Sequence, residues 1–176
     1  MPEFAPAAIL EVLARHDVDY VLIGGYAALL QGSGMATIDV DIVPARLTPN
    51  LANLAAALTD LGAKIRAAGS EALPFSASAE SLQGMSVLNL TTRFGDLDLT
   101  FAPSGFVDGF DALRVGATPM SIDGVRVLVA SLDDVIASKE AAGRDKDFEA
   151  LPRLIRLQQQ TQNRAPRDPT TGQEIE

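Results

Sequence analysis

A chain of 176 residues with 47% hydrophobic and 21% charged side chains is long enough to bury one core and too apolar for wholesale disorder. The absence of cysteine excludes a disulfide framework and thiolate metal sites. A single histidine, His16, excludes zinc sites built on two imidazoles and argues against a Ser-His-Asp triad.

The net charge of −9 argues against broad nucleic-acid binding, which needs clustered Lys and Arg. The charge is unevenly laid out, however. Residues 1–138 hold 7 basic and 16 acidic side chains, whereas residues 139–167 hold 7 basic and 4 acidic. A polyanionic ligand is therefore expected to meet the carboxy-terminal helical side. The first residues lack a basic n-region, and the apolar run from Tyr20 to Leu30 is too short to span a bilayer, so a cytoplasmic protein without a membrane segment is expected.

In chain order, Pro6 with Ile9, Leu10 and Leu13 at helical spacing predicts a helix over 6–15, with His16 at its end interacting with the dipole. "DYVLIG" predicts a buried strand that runs into Gly24 and Gly25, and "YAALLQG" a short helix that stops at Gly32. "ATIDVDIVP" alternates and predicts a strand over 36–44, with Ile38, Val40 and Ile42 on one face and Thr37, Asp39 and Asp41 on the other. A helix follows over 48–63, closed by a glycine stop. Residues 67–84 are small and polar and read as a loop.

"SVLNLTT" and "DLDLTF" flank "RFG" and predict a hairpin, with Asp96, Asp98 and Thr100 sharing one face of its second strand. Residues 105–117 read as a loop holding a short helix. "TPMSI" and "VRVLVA" around Asp-Gly predict a second hairpin. A Ser-x-x-Asp cap opens a helix over 131–143. The last helix, 144–160, must accommodate Pro152 by bending or dividing. Residues 1–160 thus read as one domain and 161–176 as a disordered polar tail.

Asp39 and Asp41 raise the chemical question. Two residues apart on a strand, their Cα atoms stand roughly 6.5–7 Å apart. Carboxylates at that spacing repel unless water or a cation lies between them, and they can share a hard divalent ion with substrate phosphate oxygens. Gly24 and Gly25, between a strand and a helix, offer unhindered backbone N–H groups suited to phosphate. Asp98 is the candidate third carboxylate, with Asp96 second. Taken singly, Asp-x-Asp on an alternating strand is more often a solvated sheet face, and Gly-Gly a tight turn. The order strand, Gly-Gly, helix, Asp-x-Asp strand, later Asp strand is what singles them out.

"IGGYAALLQGSGMATIDVDIV" resembles the signature of the polymerase-beta-like nucleotidyltransferase superfamily. "FGDLDLTFAPSG" and "SLDDVIASKEAAGRDKDFEALPRL" are similar to the bacterial nucleotidyltransferases grouped with the AbiEii/AbiGii toxins. The resemblance covers Asp19 to Leu154. It implies an α/β (α+β) fold with a mixed sheet flanked by helices, and Mg²⁺- or Mn²⁺-dependent transfer of a nucleoside monophosphate from an NTP to an acceptor hydroxyl. The acceptor, on a protein or an RNA, is unidentified, and an antitoxin partner is implied.

By the same resemblance Asp39, Asp41 and Asp98 are metal ligands and catalytic groups, and Gly24 and Gly25 hold the phosphates. Lys139, Arg144 and Asp147 then belong to the nucleotide-binding set, with Lys139 catalytic as well. From the residues alone, Lys139, Arg144 and Lys146 read as solvated helix charges. Met35 stands where many relatives carry an arginine before the Asp-x-Asp strand. That departure, with the acidic balance, motivates an alternative: a nucleotidyltransferase-fold module that binds a nucleotide or a protein without turnover. Metal-dependent phosphodiester hydrolysis would use similar carboxylates without the triphosphate cradle.

Overall fold

The computed structural model describes residues 4–67, 69 and 71–164. Helix α1 (Pro6–Arg15) begins at its proline and buries Ile9, Leu10, Val12 and Leu13. Strand β1 (Tyr20–Ile23) runs directly into α2 (Gly24–Leu30), so both glycines are the first residues of the helix rather than a turn before it. Strand β2 (Asp39–Pro44) starts three residues later than the alternation predicts. Ile38 is 74% exposed just outside it, because the sheet offers that residue no partner strand.

Helix α3 (Thr48–Asp60) follows, and its buried Asn50 ties β1 to the end of β2. The Asn50 side chain donates to the carbonyls of Asp19 and Ala45 at 2.9 and 2.8 Å, and accepts from the Asp19 N–H at 2.7 Å. The three partners of this amide are all backbone groups, and the Ala45 N–H adds a direct bond to the Asp19 carbonyl at 3.0 Å.

The segment read as a loop is more ordered than its composition suggests. It contains β4 (Leu73–Pro74) and α4 (Ala79–Gln83), and β3 (Lys64–Ile65) lies just before it. Strands of two residues carry no periodicity for a sequence reading to detect. A reciprocal box opens α4, the Ser78 and Ser81 hydroxyls each accepting the other residue's N–H.

Strands β5 (Val87–Thr92) and β6 (Gly95–Thr100) form the expected hairpin. Helix α5 (Phe110–Gly116) is the short helix expected between 105 and 117. Strands β7 (Thr118–Ile122) and β8 (Val125–Val129) meet at Asp123-Gly124, both with positive φ (48° and 85°), as a two-residue hairpin turn requires. Ser131 caps α6 (Leu132–Ala142), which ends at Gly143 in the left-handed conformation. Helix α7 (Asp145–Arg164) continues through Pro152, which removes one intrahelical hydrogen bond without dividing it. It also extends past residue 160; the rest of the expected tail, 165–176, lies outside the described residues.

Among the described residues the strands form a single mixed eight-stranded sheet of order β4-β3-β5-β6-β2-β1-β8-β7. Two neighbouring pairs, β2 with β6 and β1 with β8, are parallel and the others antiparallel. Helix α2 packs on β1, β2 and α6, and α6 packs on α7, so these helices stand over the sheet where β2 and β6 run side by side. No helix among the described residues is long and apolar enough to cross a membrane.

Candidate functional site

Strand alternation decides which side chains meet. Val40, Ile42, Leu97 and Leu99 are fully buried, which turns Asp39, Asp41, Asp96 and Asp98 to the other face. The parallel register of β2 and β6 then sets Asp41 beside Asp98 and Asp39 beside Asp96. One carboxylate oxygen from each of Asp39, Asp41 and Asp98 lies within 4.8 Å of the other two. Thr37 fixes the first of them: its hydroxyl donates to Asp39 Oδ1 at 2.8 Å.

The Gly-Gly pair is shaped to this cluster. Gly24 has φ +70°, and a Cβ placed on it would stand 2.0 Å from Asp41 Oδ2. Only glycine accommodates both that dihedral and that approach. A Cβ on Gly25 would stand 2.8 Å from the Thr37 hydroxyl. The two glycines therefore let the backbone at the start of α2 close directly on the Asp41 carboxylate and the Thr37 hydroxyl.

The carboxylates disturb each other's ionisation. Burial, then the charges of Asp39 and Asp98, push Asp41 up to about 7, against the opposing pull of Lys146 and Lys139. Burial also raises Asp98, and the Arg66 guanidinium opposes that rise without cancelling it. A cluster of hard oxygen donors that resists carrying its full negative charge suits a divalent cation, which would remove both the repulsion and the desolvation cost. The donor set thus fits the metal that the sequence resemblance implies.

Facing the carboxylates across a cavity of about 560 Å³ are α6 and α7. Lys139, Arg144 and Lys146 line it together with Gly24, Gly25, Asp39, Asp41 and Asp98. Asp147 lies beneath, fully buried, and accepts from Lys139 Nζ at 3.0 Å and from Arg144 Nε at 2.6 Å. Burial alone would raise Asp147; the hydrogen bonds from Arg144 and Lys139, with their charges, outweigh it and hold the carboxyl below its ordinary range. Gly143 makes this possible by ending α6 in a left-handed turn, so that residues 139 and 147 converge from two helices.

The family model for "Nucleotidyltransferase of unknown function (DUF6036)" matches residues 6–159. The chain belongs to that family. No curated protein matches it significantly. Among solved structures, this nucleotidyltransferase-family chain is similar in fold to the lincosamide antibiotic adenylyltransferase LnuA in its lincomycin-bound form. That match has 16% identity and a TM-score of 0.56, covering 86% of this chain and 95% of LnuA. A putative nucleotidyltransferase from Thermotoga maritima matches with 15% identity and a TM-score of 0.52, over 88% of this chain and 96% of its own. The antibiotic-resistance factor ANT(2'')-Ia matches with 15% identity and a TM-score of 0.52, over 90% of each chain. At such identities the likeness is one of fold, and the expected mixed-sheet nucleotidyltransferase architecture is what it shows.

Of the residues singled out in the sequence of this family member, Gly24, Gly25, Asp39, Asp41, Asp98, Lys139 and Arg144 line one cavity, while Asp147 supports two of them from below. Met35 also lines the cavity. His16 lies elsewhere: it follows α1 and its Nε2 stands 3.2 Å from Asp60 Oδ2, on a surface cluster with Arg15 and Arg93. Three residues that the sequence reading assigned no role in the site bear on it. Lys146 lines the cavity and has no carboxylate partner among the described residues. Thr37 was placed on the correct face but not linked to Asp39. Arg66, on the edge of the supposed loop, ion-pairs with both Asp96 and Asp98; no local pattern marks a residue that reaches its partners across two strands.

Proposed function

We propose that this protein transfers a nucleoside monophosphate from an NTP to an acceptor hydroxyl. The observation that carries the reading is the facing of three carboxylates and three cationic side chains across one cavity, with two glycines between. Membership of a nucleotidyltransferase family supports the same reaction class. Asp39, Asp41 and Asp98 would hold Mg²⁺ or Mn²⁺, which when bound neutralises triphosphate charge and acidifies the acceptor hydroxyl.

The chain's own residues supply the rest. Gly24 and Gly25 leave room for phosphate oxygens against the backbone. Lys139 and Lys146 offset charge on the triphosphate, and Arg144 joins them at the cavity wall. Asp147 positions Lys139 and Arg144 rather than touching nucleotide. The acceptor oxygen bonds to the α-phosphorus as the bond to the β-phosphate oxygen breaks; the hydroxyl proton passes to Asp98 and pyrophosphate leaves. Most of the rate enhancement would come from positioning and charge complementarity.

The fold neighbours named for antibiotics favour a small-molecule hydroxyl as the first class of acceptor to try. A toxin role with an antitoxin partner rests on the AbiEii/AbiGii-like motif alone. The test is incubation with α-labelled NTPs, Mg²⁺ or Mn²⁺ and either a cell extract or a panel of hydroxyl-bearing antibiotics. Label transfer that disappears in Asp39→Ala is the expected result. No transfer from any of the four nucleotides, or transfer undiminished in Asp39→Ala, sinks the proposal. A second reading, nucleotide binding without turnover, is favoured by Met35 at the position of the expected arginine. Thermal stabilisation by nucleotide and metal without label transfer would select it.

A further inference from the structure

Arg66 plays no part in the reaction just described, yet it holds one of its carboxylates completely. It follows β3 immediately, and its backbone N–H donates to the Asn89 carbonyl of β5 at 2.9 Å. The side chain then crosses β5 to reach β6. There Nη2 donates to both oxygens of Asp98, at 2.6 and 2.7 Å, and Nη1 donates to Asp96. Among the described residues it is the only cation ion-paired with any of Asp39, Asp41, Asp96 and Asp98.

We propose that Arg66 is the resident countercation of Asp98 and competes with a divalent metal for it, so that bringing the third carboxylate onto metal is an exchange of partners. The inference rests on the reading of Asp39, Asp41 and Asp98 as metal ligands. A guanidinium nitrogen shared between both oxygens of Asp98, with the second nitrogen on Asp96, occupies lone pairs a metal would use, and two cations on one small anion repel. Asp39 and Asp41 carry no such partner and receive a cation unopposed. Asp96 gives the displaced guanidinium a place to remain paired, which lowers the cost of the exchange. Metal affinity and the Arg66–Asp98 pair are therefore linked, each weakening the other by the same factor.

The experiment is calorimetric titration of Mn²⁺, without nucleotide, into the full chain as wild type, R66Q, R66K, D98N, R66Q/D98N and D41N, with circular-dichroism melts to establish folding. Arg66→Gln is expected to tighten Mn²⁺ by about five- to tenfold, the worth of one partly exposed ion pair. Arg66→Lys, which keeps the charge and loses the fork, falls between and serves should R66Q not fold. In the D98N background the same R66Q change shifts affinity by less than about twofold. A shift of equal size in both backgrounds means only a general field, and an R66Q affinity unchanged or weakened means Arg66 merely orients Asp98; either result overturns the inference alone. Mn²⁺ that binds neither wild type nor R66Q, or binds Asp41→Asn equally well, removes the metal reading of the site and this inference with it.

Discussion

Two carboxylates on opposite sides of one cavity behave in opposite ways. Asp41, on the sheet, sits among Asp39 and Asp98 and is pushed up to about 7, first by burial and then by those like charges. Asp147, between α6 and α7, is more deeply buried in the fold, yet Arg144 and Lys139 pull it below its ordinary range. Burial raises both; the neighbouring carboxylates add to the rise at Asp41, while the cationic partners reverse it at Asp147. The helix wall pairs Asp147 internally and leaves Lys146 without a carboxylate partner among the described residues, while the sheet wall has a deficit of positive charge that a ligand can supply. An anionic nucleotide and a cation therefore have complementary places to go.

The largest expected effect breaks the sheet wall. Asp41→Asn keeps the shape and removes one ligand, so nucleotidyl transfer should fall by about 10²–10³-fold, read as kcat/KM with saturating Mg²⁺. The same substitution should stabilise the metal-free protein. A carboxyl whose folded pKa lies above its unfolded value contributes stability that is complete below the unfolded pKa and lost as pH rises through the folded one. For Asp41 that window runs from about pH 4 to about pH 7. Denaturant melts with a chelator at pH 8 should accordingly find Asp41→Asn more stable than wild type by about 1–2 kcal/mol, the difference vanishing near pH 4. Equal stability at pH 8 would show that Asp41 is not under electrostatic strain.

Gly24→Ala tests how tightly the glycine turn is fitted to Asp41. The substitution demands a positive φ and a Cβ inside the carboxylate, so a loss of about 2–3 kcal/mol is expected by chemical denaturation. A cost below about 0.5 kcal/mol would mean that the turn relaxes freely.

On the helix wall, Asp147→Ala should cost about 1–3 kcal/mol and raise the KM for NTP more than it lowers kcat. Lys139 and Arg144 would stay near the cavity but lose their common anchor. Asp147 contributes stability present above the ordinary carboxyl pKa and lost as pH falls through its depressed one, so the penalty of the mutation should shrink in acid. A fall in kcat with KM unchanged would place Asp147 in the chemistry rather than in positioning. The smallest expected effect is that of Thr37→Val, which removes the hydrogen bond to Asp39 at constant volume: about 0.5–1.5 kcal/mol, read as a few-fold weaker Mn²⁺ affinity.

How much of this was legible depends on the range over which each signal acts. The alternation of β2, β5 and β6 put Asp39, Asp41 and Asp98 on polar faces, and the hairpins and capped helices followed from glycines, Asp-Gly and Ser-x-x-Asp, all of them local physics. The three carboxylates could be listed from the chain, as could the basic drift toward its carboxy-terminal end. The two-residue strands β3 and β4 could not, since a strand that short exists only because a neighbour pairs with it. Ile38 failed to join β2 for the converse reason: alternation continues past the point where the partner strand ends.

The sequence by itself thus determined the elements, the faces and the inventory of acids and bases, because hydrophobic period and turn chemistry act between near neighbours. Tertiary structure decided what those groups are to one another. The parallel register of β2 and β6 made a cluster of three separate aspartates. The turn at Gly143 folded Lys139 back onto Asp147, and the short strand β3 delivered Arg66 across β5 to Asp98. Electrostatic partners are set by distance in space, and residues 66 and 98 are brought within hydrogen-bonding range only by the closing of the sheet.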